Sequence, residues 1–210
     1  MDTEYFTPEY FIEQMRLGGN SPLGWLSNAT MFRRSAGVIF QLSRVGEALT
    51  LAFNDLEPPP PPGEIRTRIL KGAELSASID MGLWSVSIFL LAIGLENLLK
   101  ARVAQSGISL VTEDGALDKQ RFGSHNLKYL ARLAKLNLPK EDMKIVDWLT
   151  AFLLWRGRYP IPTGHEQLEK LHNMQPGTLG ELWEKSFTVY DRIASLDTIG
   201  NSVYSVYAEL

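Results

Sequence analysis

Met81-Gly82-Leu83-Trp84-Ser85-Val86-Ser87-Ile88-Phe89-Leu90-Leu91-Ala92-Ile93-Gly94-Leu95-Glu96 is the most apolar stretch of the chain, and its reading decides the fold. Gly82, Ser85, Ser87 and Gly94 interrupt it and Glu96 ends it, so it stays short of the ~20 apolar residues needed to cross a bilayer. The apolar residues Ile88, Leu91, Leu95, Leu98 and Leu99 recur at helical spacing past that glutamate. A buried central helix is therefore expected, ending near Ala104 before Gln105-Ser106-Gly107, with interruption signals at Gly72 and over 80–82. No membrane association is expected.

Outward from this helix, helical signals dominate. Thr7-Pro8 can cap and open a short helix closed by Gly18-Gly19, and Ser21-Pro22 is a second start signal. Residues 27–54 read as helix, with Met31, Val38, Leu42, Val45 and Leu49 on a common apolar stripe. Pro58 to Pro62 form a five-proline run that cannot be helix interior and reads as an extended connector. Residues 108–123 read as a loop turning at Asp114-Gly115, with Ile108, Leu110 and Val111 able to form a short strand.

Ser124 is the expected N-cap of a helix over 124–136, buried through Leu127, Leu130, Leu133 and Leu136. Pro139 opens the next, whose apolar set is Ile145, Trp148, Leu149, Phe152 and Trp155, and Gly157 and Pro160 stop it. Capping-box patterns at 163–166 and 178–181 start two more. The second would be buried through Leu179, Leu182, Trp183, Ser186, Tyr190 and Ile193. Short connections between amphipathic helices predict an all-α, up-and-down helical bundle. The expected organisation is an N-terminal helical extension (1–57), a polyproline connector (58–63), the bundle (64–196) and a C-terminal tail (197–210).

Composition is ordinary for a globular protein: 45% hydrophobic and 21% charged residues exclude wholesale disorder. The chain has no cysteine, which removes disulfides and thiolate–metal sites and suits the cytoplasm, the expected location. The acidic start Met1-Asp2-Thr3-Glu4 lacks the features of a secretory signal. A net charge of −3 argues against global basicity, yet it is unevenly spread. Residues 119–158 hold nine Lys/Arg against three acids, a net +6, which leaves −9 for the remainder.

Three pieces occur in order. Ala92-Ile93-Gly94-Leu95-Glu96-Asn97-Leu98-Leu99-Lys100-Ala101 lies on the central helix. Ser124-His125-Asn126-Leu127-Lys128-Tyr129-Leu130 opens another, and Gly157-Arg158-Tyr159-Pro160 follows a third. Together they resemble the HEPN superfamily (higher eukaryotes and prokaryotes nucleotide-binding), whose members often show a G/A-x-E-x-x-L-K-A helix, then H-D/N-L-x-x-L, then R-Y-P. The resemblance covers roughly 63–196. It implies a helical bundle, frequently a homodimer, and either a metal-independent ribonuclease of a toxin–antitoxin or phage-defence system or a non-catalytic module binding RNA, nucleotide or a protein partner such as an antitoxin.

In the ribonucleases of that superfamily an arginine, a short spacer and a histidine do the chemistry, which here falls on Arg158 and His165. His165 would move the proton of a ribose 2′-hydroxyl, and Arg158 would stabilise the phosphoryl oxygens. Tyr159 stands where a polar residue is usual, and Pro160 and Pro162 interrupt the helix that normally displays the pair. The bland alternative has Arg158 on carbonyls at a helix C-terminus and His165 in a solvated turn.

Lys128, Arg132 and Lys135 form a basic stripe that, with Arg156, could contact RNA. The same stripe is what a solvated surface helix presents. His125, Glu96 and Tyr159 are supporting candidates. Glu96 and Lys100, at i and i+4, read as a helix-stabilising pair or as a buried polar contact to His125 or Arg158. His165 and His172 are too far apart along a helix to share a metal. No metal site or cofactor is expected. A third possibility is a structural protein whose exposed apolar patch on 27–54 meets another subunit.

Overall fold

The computed structural model describes residues 8–43, 73–123, 125–156 and 179–196. Seven helices account for most of them: α1 (Pro8–Asn20), α2 (Pro22–Leu42), α3 (Ala73–Gln105), α4 (Lys119–Phe122), α5 (Leu127–Leu133), α6 (Lys140–Ala151) and α7 (Leu179–Ser195). The wider π turn Phe152–Arg156 extends α6. Among the described residues extended pairing is confined to one antiparallel bridge, Val111 to Leu117, where a short strand was a sequence option. The chain is all-α.

α3 is the axis of the molecule. Ile88, Leu91, Leu95, Leu98 and Leu99 are fully buried, as their spacing predicted. By length and mean hydropathy (1.7) Gly82–Gln105 is sufficient to cross a membrane, because the helix continues well past Glu96; most of that stretch is buried inside the fold.

Four helices surround one core and alternate in direction. Trp25 of α2 lies beside Lys100, and Ala29 and Arg33 lie beside Gly94, so α2 and α3 are antiparallel. Trp84 near the start of α3 meets Trp148 and Phe152 near the end of α6, which turns α6 against α3. Arg102 near the end of α3 donates to the carbonyls of Ile193 and Ala194 at 2.7 and 3.2 Å, capping α7. Arg33 of α2 clasps Asp191 of α7 through two hydrogen bonds of 2.8 Å, and Phe40 stacks on Trp183 at 4.0 Å. Thus α2 and α6 run opposite to α3 and α7. The expected buried faces of α6 (Ile145, Trp148, Leu149, Phe152) and α7 (Leu182, Trp183, Ser186, Tyr190, Ile193) hold.

α2 departs from its expected course. It starts at Pro22, with the Ser21 side chain accepting from the Gly24 N–H, and stops at Leu42 with extended backbone at Ser43. Its buried face is Leu26, Ala29 and Ala36, whereas Met31, Val38 and Leu42 are more than half exposed. The residues are small because the helices touch: a Cβ on Gly94 would sit 3.2 Å from the Ala29 carbonyl oxygen. Val45 and Leu49 of the expected stripe lie outside the described residues. α2 and α3 thereby share one core.

α1 rests on the 108–118 loop. Asn20 Oδ1 accepts from the Leu110 N–H at 2.8 Å, and Trp25 Nε1 donates to the Gly19 carbonyl at 2.8 Å. Gly115, at φ +80°, makes the turn, and a Cβ there would lie 2.8 Å from the Ile12 carbonyl oxygen. Glycine alone meets both demands. α1 itself runs through Gly18-Gly19 to Asn20 rather than closing at the glycine pair.

Candidate functional site

The site is built where α3 passes the start of α5. α5 begins at Leu127, not at 124, because His125 has φ +52° and a left-handed residue cannot continue a right-handed helix. Asn126 is the N-cap, its side chain accepting from the Tyr129 N–H at 2.9 Å. Ser124, the expected cap, lies outside the described residues. The Leu127 N–H, a further orphan of that helix start, donates to Thr150 Oγ1 of α6 at 3.2 Å, while Thr150 donates to the Val146 carbonyl. This fixes the 125–127 backbone against both α3 and α6.

The left-handed turn directs the imidazole of His125 onto α3. Its Nδ1 lies 2.9 Å from Oε2 of Glu96. The other carboxylate oxygen accepts from Lys100 Nζ at 2.6 Å. Glu96 and Lys100 have side-chain exposures of 6% and 7%, and His125 of 31%. The Lys100 ammonium also faces the ring of Trp25 at 5.1 Å, a cation–π contact that replaces part of its lost hydration. The sequence pair at i, i+4 is therefore more than a surface staple. Of its sharper alternatives, the contact to His125 is present; one to Arg158 would fall outside the described residues.

Electrostatics set the ring's state. Glu96, facing an ammonium at 2.6 Å, is a carboxylate and accepts only, so Nδ1 of His125 carries the hydrogen. The neutral ring then keeps its lone pair on Nε2, and a protonated ring donates from both nitrogens. A carboxylate behind one ring nitrogen, with the ring partly open to water, can orient an imidazole for proton transfer or for binding an anion. Among the described residues no group of three or more His, Asp or Glu is placed to hold a metal ion.

The other candidates divide. Lys128 lies 3.7 Å from Asp147 and is engaged across α5 and α6. Arg132 is exposed on α5. Lys135 is exposed but stands beyond the helix at φ +55°, since α5 ends at Leu133. The three-residue helical stripe expected over 128–135 is thus cut to two. Arg158, Tyr159, His165 and His172 lie outside the described residues, as do the side chains of Trp155 and Arg156, the 58–63 connector, the capping box at 163–166 and the 197–210 tail. The 124-to-96 region, a supporting element in the sequence, is the part the fold assembles. Its signal was present in the two motifs, but they stand 29 residues apart and spacing alone does not pair them.

Comparison with protein-family models, with curated proteins and with solved structures gives no match.

Proposed function

We propose that the chain is a HEPN-like, metal-independent ribonuclease component of a defence or toxin–antitoxin system, with Arg158 and His165 acting on the scissile phosphodiester. The observation that carries this reading is the meeting of two of the three ordered motifs: Glu96 and Lys100 of the first and His125 of the second form one hydrogen-bonded cluster. In this reading the protein works in the cytoplasm as a homodimer, without a cofactor, and an antitoxin or other protein restrains it. The test is cleavage of a mixed RNA pool by purified protein in excess chelator. Cleavage that persists there and is lost in Arg158→Ala and in His165→Ala supports the pair. Full activity in either variant removes that residue from the chemistry.

A second reading, a non-catalytic helical module that binds RNA, is favoured by the exposure of Arg132, Lys135 and Lys140. It gives salt-sensitive RNA binding without turnover, weakened by charge reversal at Arg132 and Lys135.

A further inference from the structure

We propose that His125, positioned by Glu96, is the proton-accepting residue of RNA cleavage, an inference that rests on the RNA reading above. Three observations lead there. First, the ring is held by the one arrangement that settles which nitrogen is protonated: Nδ1–H points at a buried carboxylate 2.9 Å away, so the basic lone pair belongs to Nε2. Second, the backbone holds His125 at φ +52°, a conformation that disfavours most L residues, to bring that ring to Glu96 while 31% of the side chain stays exposed. A histidine serving only to neutralise Glu96 would be redundant, since Lys100 already does so at 2.6 Å.

Third, the surroundings suit a polyanion. The acids of the 119–147 region are taken up: Glu141 by Lys144, Asp142 by Arg192 and Asp147 by Lys128. Lys119, Arg121, Arg132, Lys135 and Lys140 are exposed, and among the described residues none is within ion-pair distance of a carboxylate. His125 thus lies in a cationic stretch where a phosphodiester is favoured. In the step assigned to it, Nε2 takes the proton of a ribose 2′-hydroxyl as the O2′–P bond forms. The P–O5′ bond breaks, and the departing 5′ oxygen takes a proton from water. A 2′,3′-cyclic phosphate and a 5′-hydroxyl result, and the imidazolium returns its proton to water.

The experiment has a spectroscopic arm and a kinetic arm on the full chain. Long-range 1H–15N correlation of the three imidazoles is expected to show His125 as the Nδ1–H tautomer, with its signals moved by added uridine 3′-monophosphate. An Nε2–H tautomer, or no response to the nucleotide, overturns the inference whatever the activity. For kinetics, His125→Asn is the informative variant, because asparagine tolerates left-handed backbone and keeps an N–H for Glu96 but cannot take the proton. It is expected to fold, to bind RNA within about threefold of wild type, and to lose about 100-fold in kcat. His125→Ala is expected to regain part of its rate with added imidazole. Cleavage by His125→Asn at close to the wild-type rate overturns the inference and leaves the ribonuclease reading standing. Wild-type protein that leaves RNA intact overturns the ribonuclease reading, and the step assigned to His125 with it.

Discussion

Replacing Lys100 by methionine should destabilise the protein by about 3–5 kcal/mol, the usual consequence of leaving one member of a buried ion pair alone. The geometry supports the upper half of what such pairs do. An ammonium and a carboxylate oxygen 2.6 Å apart attract by about 6 kcal/mol at an effective dielectric of ~20. Both side chains are more than nine-tenths buried, so little water can take the lysine's place. Methionine matches the volume, which keeps the contact to Trp25 and isolates the charge effect. The assay is urea unfolding followed by tryptophan fluorescence, with Trp84 and Trp148 in the core as reporters. At a slope of ~2 kcal/mol per molar the midpoint falls by about 1.5–2.5 M. The companion variant, Glu96→Leu with Lys100→Met, removes both charges and should return to within about 1 kcal/mol of wild type, since apolar replacements of a whole pair are near neutral. A double variant as unstable as Lys100→Met alone would refute the reasoning, because the loss would then come from packing and not from an isolated carboxylate.

Gly94→Val is expected to lose about 1–3 kcal/mol, because a side chain there meets the Ala29 carbonyl oxygen and Phe32 Cβ at 3.2 and 3.3 Å and must push α2 off α3; a thermal melt unchanged within 1 °C would contradict this close approach. At the 108–118 loop, the hydroxyl of Thr112 donates to Asp114 and holds its carboxyl below the usual range, helped by the Ala116 backbone. A depressed carboxyl contributes its stability above the unfolded-state value of about 4 and loses it as pH falls through the lower folded-state value. The Gly115 amide signal, whose N–H donates to the Thr112 carbonyl, should therefore hold steady from pH 7 to 5 and move only below about 4. Thr112→Val should raise that midpoint, and a variant titrating as wild type does would rule the hydroxyl out as the cause.

The large apolar side chains carried the sequence reading as far as it went. Leu91, Leu95 and Leu99 on α3, Trp148 and Phe152 on α6, and Leu182 and Tyr190 on α7 are buried as their spacing predicted, since burial of bulky side chains dominates helix orientation. α2 was misread for the opposite reason. Its contact with α3 runs through Ala29, Ala36 and Gly94, and small residues that allow close approach carry no hydrophobic signal, while the conspicuous Met31, Val38 and Leu42 face outward. The start of α5 was ambiguous because Ser124 and Asn126 are both good caps. The left-handed backbone of His125 decides between them, and no local pattern announces it. The Glu96–His125 contact needs the whole α3–α5 packing to exist.

Stability alone does not account for the cluster at the centre of α3. A buried ion pair contributes little that leucine and methionine would not, and a left-handed histidine costs about 1 kcal/mol or more relative to a glycine or asparagine. The two liabilities coincide on three residues that touch one another, and what they obtain together is narrow: one imidazole with its Nδ1 proton pinned and its ring partly open to water. Lys100 matters to that outcome even though it never reaches the surface. By keeping Glu96 an acceptor, it prevents the carboxyl from donating to the ring and reversing the tautomer. The central helix thus joins fold and site through a single side chain, since the carboxylate that α3 carries into the core is the one that orients the histidine at its edge.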